Sequence, residues 1–350
     1  MASELDGRKK TILKAVTDDY IISAEPVGSR TIARRYDLGL SPATIRNEMA
    51  DLEESGFLEQ PHASAGRIPS EQGYRYYVDT LISLQQLSDQ DIEWIYGELE
   101  KNQQQMEMII HHTSKMLVQM TQYPSLILSP QLESAAFRHV QLVRLSNSTI
   151  MVLIVTDTGY VEHKVIEFES EITDSDLDRI SMVLNKKLRG VNLKELQSAL
   201  LSEIRSELEF HQEFYNEAVK LLLRATASST GGKERVYVDG ATKILNQPEF
   251  AEVQKFKPLL DILEEEEKLY KLLSNHVQRG AQVKIGHENE TFGINDCSIV
   301  TASYEIAGKT VGVIGVLGPT RMDYAKVLPI VEHTAAILSE FLTQMCRRSK

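Results

Sequence analysis

Apolar residues recur at helical spacing at the start of the chain and at alternating spacing further on, and the change of period divides it. Ile12, Val16 and Tyr20 stand at i, i+4 and i+8 with Leu13 beside them. This predicts a helix over 8–23 with one apolar face. Pro26 and Gly28 end that period, and Ser29 is a candidate N-cap for a short helix over 30–36. Asp37, Leu38 and Gly39 make a turn. Ser41-Pro42 starts a third helix: Ser41 caps, and Pro42 at the first helical position loses no needed hydrogen bond. It runs to about Ser55, with Gly56 as its stop. Ile45, Met49 and Leu52 share its inward face, while Ala43, Asn47 and Ala50 point outward between Thr44 and Arg46. Residues 57–60 and 67–68 predict two short paired strands around the turn-forming segment 61–66. Pro69-Ser70 opens another helix with Tyr74, Tyr77, Val78 and Leu81 on one face. Three helices and a hairpin form the pattern of a winged helix-turn-helix.

The remainder alternates helix and strand in blocks. Residues 87–119 read as helical, and the prolines of YPSLILSP at 123–130 break that stretch. Three β-rich runs follow at 137–145, 149–155 and 160–168. From Thr173 the period is helical, with Ser175-Asp176 as cap and an end near Gly190; 195–224 is a long helical stretch. Residues 236–238 predict a short strand and 248–277 a helical segment with the solvated acidic run Glu264 to Glu267. Strands at 282–285, 297–306 and 310–317 precede a closing helix over 323–345. Three strands, a helical block, three strands and a helix predict one antiparallel sheet interrupted by an insertion, an α+β chain.

Charge changes where nucleic acid can be met. The 350 residues carry a net charge of −12, so any contact with DNA needs a local patch. Residues 1–80 hold ten basic and thirteen acidic side chains, a net of −3. Within 30–46, however, Arg30, Arg34, Arg35 and Arg46 oppose only Asp37. Arg30, Arg34 and Arg35 are candidate phosphate contacts. Thr44, Arg46 and Asn47 are candidate base-edge contacts, since Arg suits guanine and Asn suits adenine. Arg67 on the hairpin is a candidate for phosphate or minor groove. His62 and Ser64 divide between shaping the hairpin and contacting DNA.

Other chemistry finds little footing. Cys297 and Cys346 lie far apart, which excludes a disulfide framework or a cysteine-rich metal site and points to a reducing cytoplasm. No apolar run approaches the roughly 20 residues of a membrane span. The charged start MASELDGRKKT has no following apolar stretch, so no secretory signal is expected. His111 and His112 are adjacent and diverge on a helix, a poor metal pair. Gly312, Gly315 and Gly318 sit inside a strand and run into Pro319, so they suit close packing better than a phosphate loop. No catalytic constellation is present, and neither enzymatic activity nor a cofactor is expected.

PVGS at 26–29, SPATIRNEMADLEESGFLEQPHASAGRIPS at 41–70, GYRYYVD at 73–79, IGHEN at 285–289 and VGVIGVLGPTRMDY at 311–324 closely resemble the HrcA-type heat-inducible transcription repressors of bacteria. The resemblance spans nearly the whole chain. It implies a winged-helix DNA-binding domain over 1–85, a GAF-like domain over 86–170 and 256–350, and an inserted dimerising domain over 171–255. It also implies a homodimer on double-stranded DNA bearing an inverted-repeat operator of the CIRCE type, upstream of chaperone genes. A GroEL-class chaperonin is the implied regulatory partner. The alternative is a repressor controlled by a small ligand in the GAF-like domain.

Overall fold

The Asp6 carboxylate accepts hydrogen bonds from the Arg8 and Lys9 amides at 2.9 Å and so starts the first helix, α1 (Gly7–Ser23). The computed structural model that contains it describes residues 5–100, 106–130, 136–146, 148–156, 161–167, 173–191, 236–250, 253–274 and 280–348. Helix α2 (Ser29–Arg35) is capped by Gly28, so Ser29 lies inside it rather than at its cap. Helix α3 (Pro42–Glu54) is capped by Ser41, whose hydroxyl accepts from the Thr44 amide at 3.1 Å. Gly56, with φ of +81°, turns the chain into the hairpin β1 (Leu58–Glu59) and β2 (Ile68–Pro69). Leu58 pairs with Pro69 and Glu59 with Ile68. Helix α4 (Glu71–Tyr76), capped by Ser70, passes into a π-helical turn at Tyr77–Leu81.

One apolar cluster fastens these elements into a head. Ile12, Leu13 and Val16 of α1 meet Ile32 of α2, Ile45, Met49 and Leu52 of α3, and Phe57 and Leu58 at the hairpin. Val27 joins through a two-way backbone bridge with Arg67, at 2.8 and 2.9 Å. That approach requires Gly66: a Cβ there would lie 2.4 Å from the Val27 carbonyl oxygen.

The body is built on a five-stranded sheet. Its strands are β3 (Ser125–Leu128), β7 (Val236–Asp239), β8 (Ala281–Ile285), β9 (Cys297–Ile306) and β10 (Lys309–Pro319). Their order is β7-β3-β10-β9-β8, antiparallel throughout. Val300, Ala302, Tyr304, Ile314 and Val316 face one layer of helices. That layer is α5 (Asp89–Glu100), α6 (Met106–Thr121) and α10 (Tyr324–Arg348). Leu126, Leu128, Ile299, Val313 and Leu317 face the other, formed by α8 (Val253–Glu264) and α9 (Glu266–Ser274). A register shift between Thr310 and Gly312 moves Val311 to the first layer. The three glycines of β10 lie where neighbours crowd in. A Cβ at Gly312 would meet the Tyr304 hydroxyl at 2.4 Å, one at Gly315 the Thr301 methyl at 2.8 Å, and one at Gly318 Met322 at 2.7 Å.

Strand pairing corrects the expectation of a single interrupted sheet. Strands β4 (Phe137–Ser146), β5 (Thr149–Thr156) and β6 (Val161–Glu167) pair only with one another among the described residues, in the order β4-β5-β6. Helix α7 (Asp174–Leu188) lies against edge strand β4, where Asn185 accepts from the Val140 amide at 2.7 Å and donates to its carbonyl at 2.8 Å. Its cap is Thr173, in a reciprocal capping box with Asp176, rather than Ser175. The partner of the C-terminal strands is instead β3, inside the YPSLILSP segment expected only to break a helix. Among the described residues the chain leaves the large sheet after Leu128 and returns at Val236, which pairs with Leu128. The stretch 195–224 lies outside the described residues. Pattern explains the error: β4 to β6 alternate as sheet strands do, and nothing local tells which sheet they join.

The chain is therefore a mixed α/β protein. No helix among the described residues is long and apolar enough to cross a membrane.

Candidate nucleic-acid interface

Packing of α3 decides what it presents. Ile45, Met49 and Leu52 are buried, which leaves Pro42, Ala43, Arg46, Asn47 and Glu54 exposed and Thr44 and Ala50 half-buried. The outward face near the helix start is thus low in bulk and carries a guanidinium and an amide. Thr44 is not wholly available, because its hydroxyl lies 2.9 Å from that of Ser41 at the cap. Helix α2 reaches α3 through a turn with Gly39 at φ of +64°. It exposes Arg30, Arg34 and Arg35 beside that face.

Ion pairs sort the charges. Three carboxylates of α3 are engaged at its flanks: Glu48 with Arg8 at 3.2 Å, Asp51 with Lys9 at 3.0 Å, and Glu53 with Arg67 at 2.7 Å. The hydrogen bond to Asp51 raises the Lys9 ammonium above its usual range. Among the described residues Arg30, Arg34 and Arg46 form no ion pair. Three unpaired guanidinium groups thus stand around a helix face whose neighbouring acids are largely neutralised. The net charge of residues 1–80 hides this, because a sum does not show which charges are paired with one another and which stand alone.

Two of the expected contact residues are committed within the head. Arg35 donates to Asp19 at 2.5 Å; Asp19 is buried while Arg35 remains more than half exposed. Arg67 donates Nε to Glu53 at 2.8 Å with its side chain only 20% exposed. Arg67 braces the root of the hairpin against α3 rather than offering a free cation. His62 and Ser64 are exposed at the hairpin tip. Gln60, which drew no attention in the sequence, ties the tip by donating to the Ala63 and Ala65 carbonyls at 3.1 and 3.0 Å.

A second group of residues escaped sequence reasoning as to role. Glu71 lies 2.7 Å from His287 Nδ1, and Arg75 donates to Glu288 at 2.8 Å and to the Val283 carbonyl at 2.8 Å. Arg321 donates to the Ile21 carbonyl at 2.8 Å and pairs with Glu249. Asp323 accepts from the Lys326 amide at 3.2 Å, as expected for a helix start. The IGHEN and RMDY motifs therefore lie where head and body meet. Their partners are up to 300 residues away in sequence, beyond the reach of any local signal.

Residues 107–328 match the model of the HrcA protein C terminal domain. A heat-inducible transcription repressor HrcA of Pelotomaculum thermopropionicum is 46% identical over 345 residues, covering 98% of this chain and 99% of that one. A protein of the same description from Desulforamulus reducens is 44% identical over 345 residues, with the same coverage of both chains. A solved crystal structure of a hypothetical protein shares the fold, at 22% identity and a TM-score of 0.63. The match covers 98% of this chain and all of that one.

Proposed function

The chain belongs to the HrcA family of heat-inducible transcription repressors, and from that premise we propose that its head is a winged helix-turn-helix reading double-stranded DNA with α3. The observation that carries this reading is the set of unpaired Arg30, Arg34 and Arg46 around an exposed helix face bearing Asn47. Arg46 and Asn47 read base edges in the major groove. Arg30 and Arg34 grip phosphate, and Arg35 does so at the expense of its bond to Asp19. Arg67 contributes through the hairpin position it maintains.

The repressor acts as a homodimer on an inverted repeat, since a two-fold protein matches a two-fold operator. The five-stranded unit is the GAF-like domain, and the excursion after Leu128 is the inserted dimerising unit. Exposed Leu145, Val165, Met182 and Val183 on that excursion support a partner there. The operator is of the CIRCE type, upstream of chaperone genes. A GroEL-class chaperonin keeps the repressor active in the cytoplasm until heat-unfolded proteins occupy it. A gel shift on an inverted repeat, with and without chaperonin across a temperature step, tests the whole reading. Operator binding that is restored by chaperonin after heating is expected; binding indifferent to chaperonin removes that partner.

A further inference from the structure

Helix α4 directs two charged side chains out of the head and into the body. Glu71 accepts from the His287 amide at 3.2 Å through each carboxylate oxygen, in addition to its contact with the imidazole. Gly286 makes room for it: φ is +53°, and a Cβ there would lie 2.0 Å from Glu71 Oε1. One turn on, Arg75 grips Glu288 with two nitrogens and covers the carbonyl of Val283 on edge strand β8. Between them Tyr74 is buried in the body's core, edge-on to Tyr324 at 6.2 Å.

Two more ties fix the remaining degrees of freedom. Arg321, 12% exposed, holds the carbonyl of Ile21 at the C-terminal end of α1. The linker after the π-helical turn is held as well: Gln85 donates its amide to the Ala325 carbonyl at 3.0 Å. Ala325 is free to accept because Pro329, four residues later in α10, has no N–H to offer it. None of these contacts involves Arg30, Arg34, Arg46 or Asn47, so the docked head keeps its recognition face open.

Resting on the DNA-binding reading above, we propose that Glu71, Arg75 and Arg321 are positioning residues that clamp the head at one orientation on the body. In a dimer the clamp sets the separation of the two recognition faces and thereby the half-site spacing that is read. Binding of the second head is then intramolecular, with an effective concentration that falls when the joint loosens. The Glu71 and Arg75 pairs are partly exposed and individually weak, so substituting them loosens the joint while Tyr74 stays packed against the body and neither part unfolds.

The test uses the full chain with Glu71→Gln and Arg75→Gln together, and separately Gly286→Ala, which leaves every charge in place. Nitroxide labels at Asp37→Cys and Glu332→Cys in a Cys346→Ser background, diluted with unlabelled chain, report the head–body distance. Binding is measured on a single half-site and on inverted repeats of varied spacing. The clamp predicts a narrow distance distribution that broadens in both variants. It also predicts paired-site affinity lower by about tenfold with a flattened spacing preference, and unchanged single-site affinity. Distributions that stay narrow, equal losses on single and paired sites, or a gain in paired-site affinity each overturn the clamp. Failure of the unsubstituted chain to prefer any inverted repeat overturns the DNA reading instead, and the distance distributions still report on the joint.

Discussion

Arg67 donates its Nε to Glu53 at 2.8 Å and so ties the root of the hairpin to the C-terminal end of α3. Arg46, seven residues before Glu53 on the same helix, has no such partner and faces solvent. The two arginines look equivalent in a charge count and differ in what they do. Arg67→Ala is expected to lower the melting temperature of the head and weaken binding to every DNA sequence. Arg46→Ala is expected to leave melting unchanged and to cost roughly tenfold or more in operator affinity, with much less effect on scrambled DNA. Thermal melts alongside anisotropy titrations of both duplexes check this, and equal losses for Arg46→Ala would make it a phosphate contact only.

Salt dependence separates Arg34 from Arg35. Releasing one phosphate contact lowers the slope of log affinity against log salt by about one. Arg34 is unpaired, so Arg34→Ala should show that full reduction on all sequences. Arg35 must first leave Asp19, so Arg35→Ala should reduce the slope by less. Titrations at four salt concentrations distinguish the two, and identical slopes for both variants would contradict the assignment.

Asp18 carries a pH signature. Burial pushes its carboxyl above the ordinary aspartate value, nearby Asp323 acts in the same direction, and the Tyr77 hydroxyl and Lys14 act against them. Tyr77 donates to Asp18 at 2.6 Å, holding α1 to the π-helical turn. A folded-state value raised above the unfolded one means that this group destabilises progressively as pH rises through that interval. Asp18→Asn keeps an acceptor for Tyr77 and removes the charge. Its melting temperature should therefore exceed that of the unsubstituted protein near pH 7 and converge with it near pH 3. A difference that is constant with pH would contradict this account.

The excursion offers a test of self-association. Met182 and Val183 on α7 are 71% and 39% exposed, large apolar groups open to solvent. Met182→Glu should raise the dimer dissociation constant at least tenfold in sedimentation equilibrium, with unchanged circular dichroism. Unaltered association would place the contact elsewhere.

The head was legible in the sequence because every signal in it is local. Ser41 caps α3 at the residue expected, and the inward triplet Ile45, Met49 and Leu52 follows from helical period alone. The body was legible in its other strands and helices but neither in β3 nor in its pairing. Strand β3 is four residues between prolines, too short to show a period, and β4 to β6 carry no mark of the sheet they belong to. The candidate interface was chosen by residue type and not by availability, since Arg35 and Arg67 lose freedom to partners sixteen and fourteen residues away. The joint between head and body was invisible, because Glu71 and His287 stand 216 residues apart.

The measurement that bears most directly on the central claim is an anisotropy titration of the unsubstituted protein at fixed salt. It compares an inverted-repeat operator with a duplex of the same composition in scrambled order, and is repeated with Asn47→Ala. Reading of base edges by α3 predicts at least about a thousandfold preference for the operator. It further predicts that Asn47→Ala erodes this preference while leaving scrambled-DNA affinity in place. Equal affinity for both duplexes, or a preference untouched by Asn47→Ala, would contradict it.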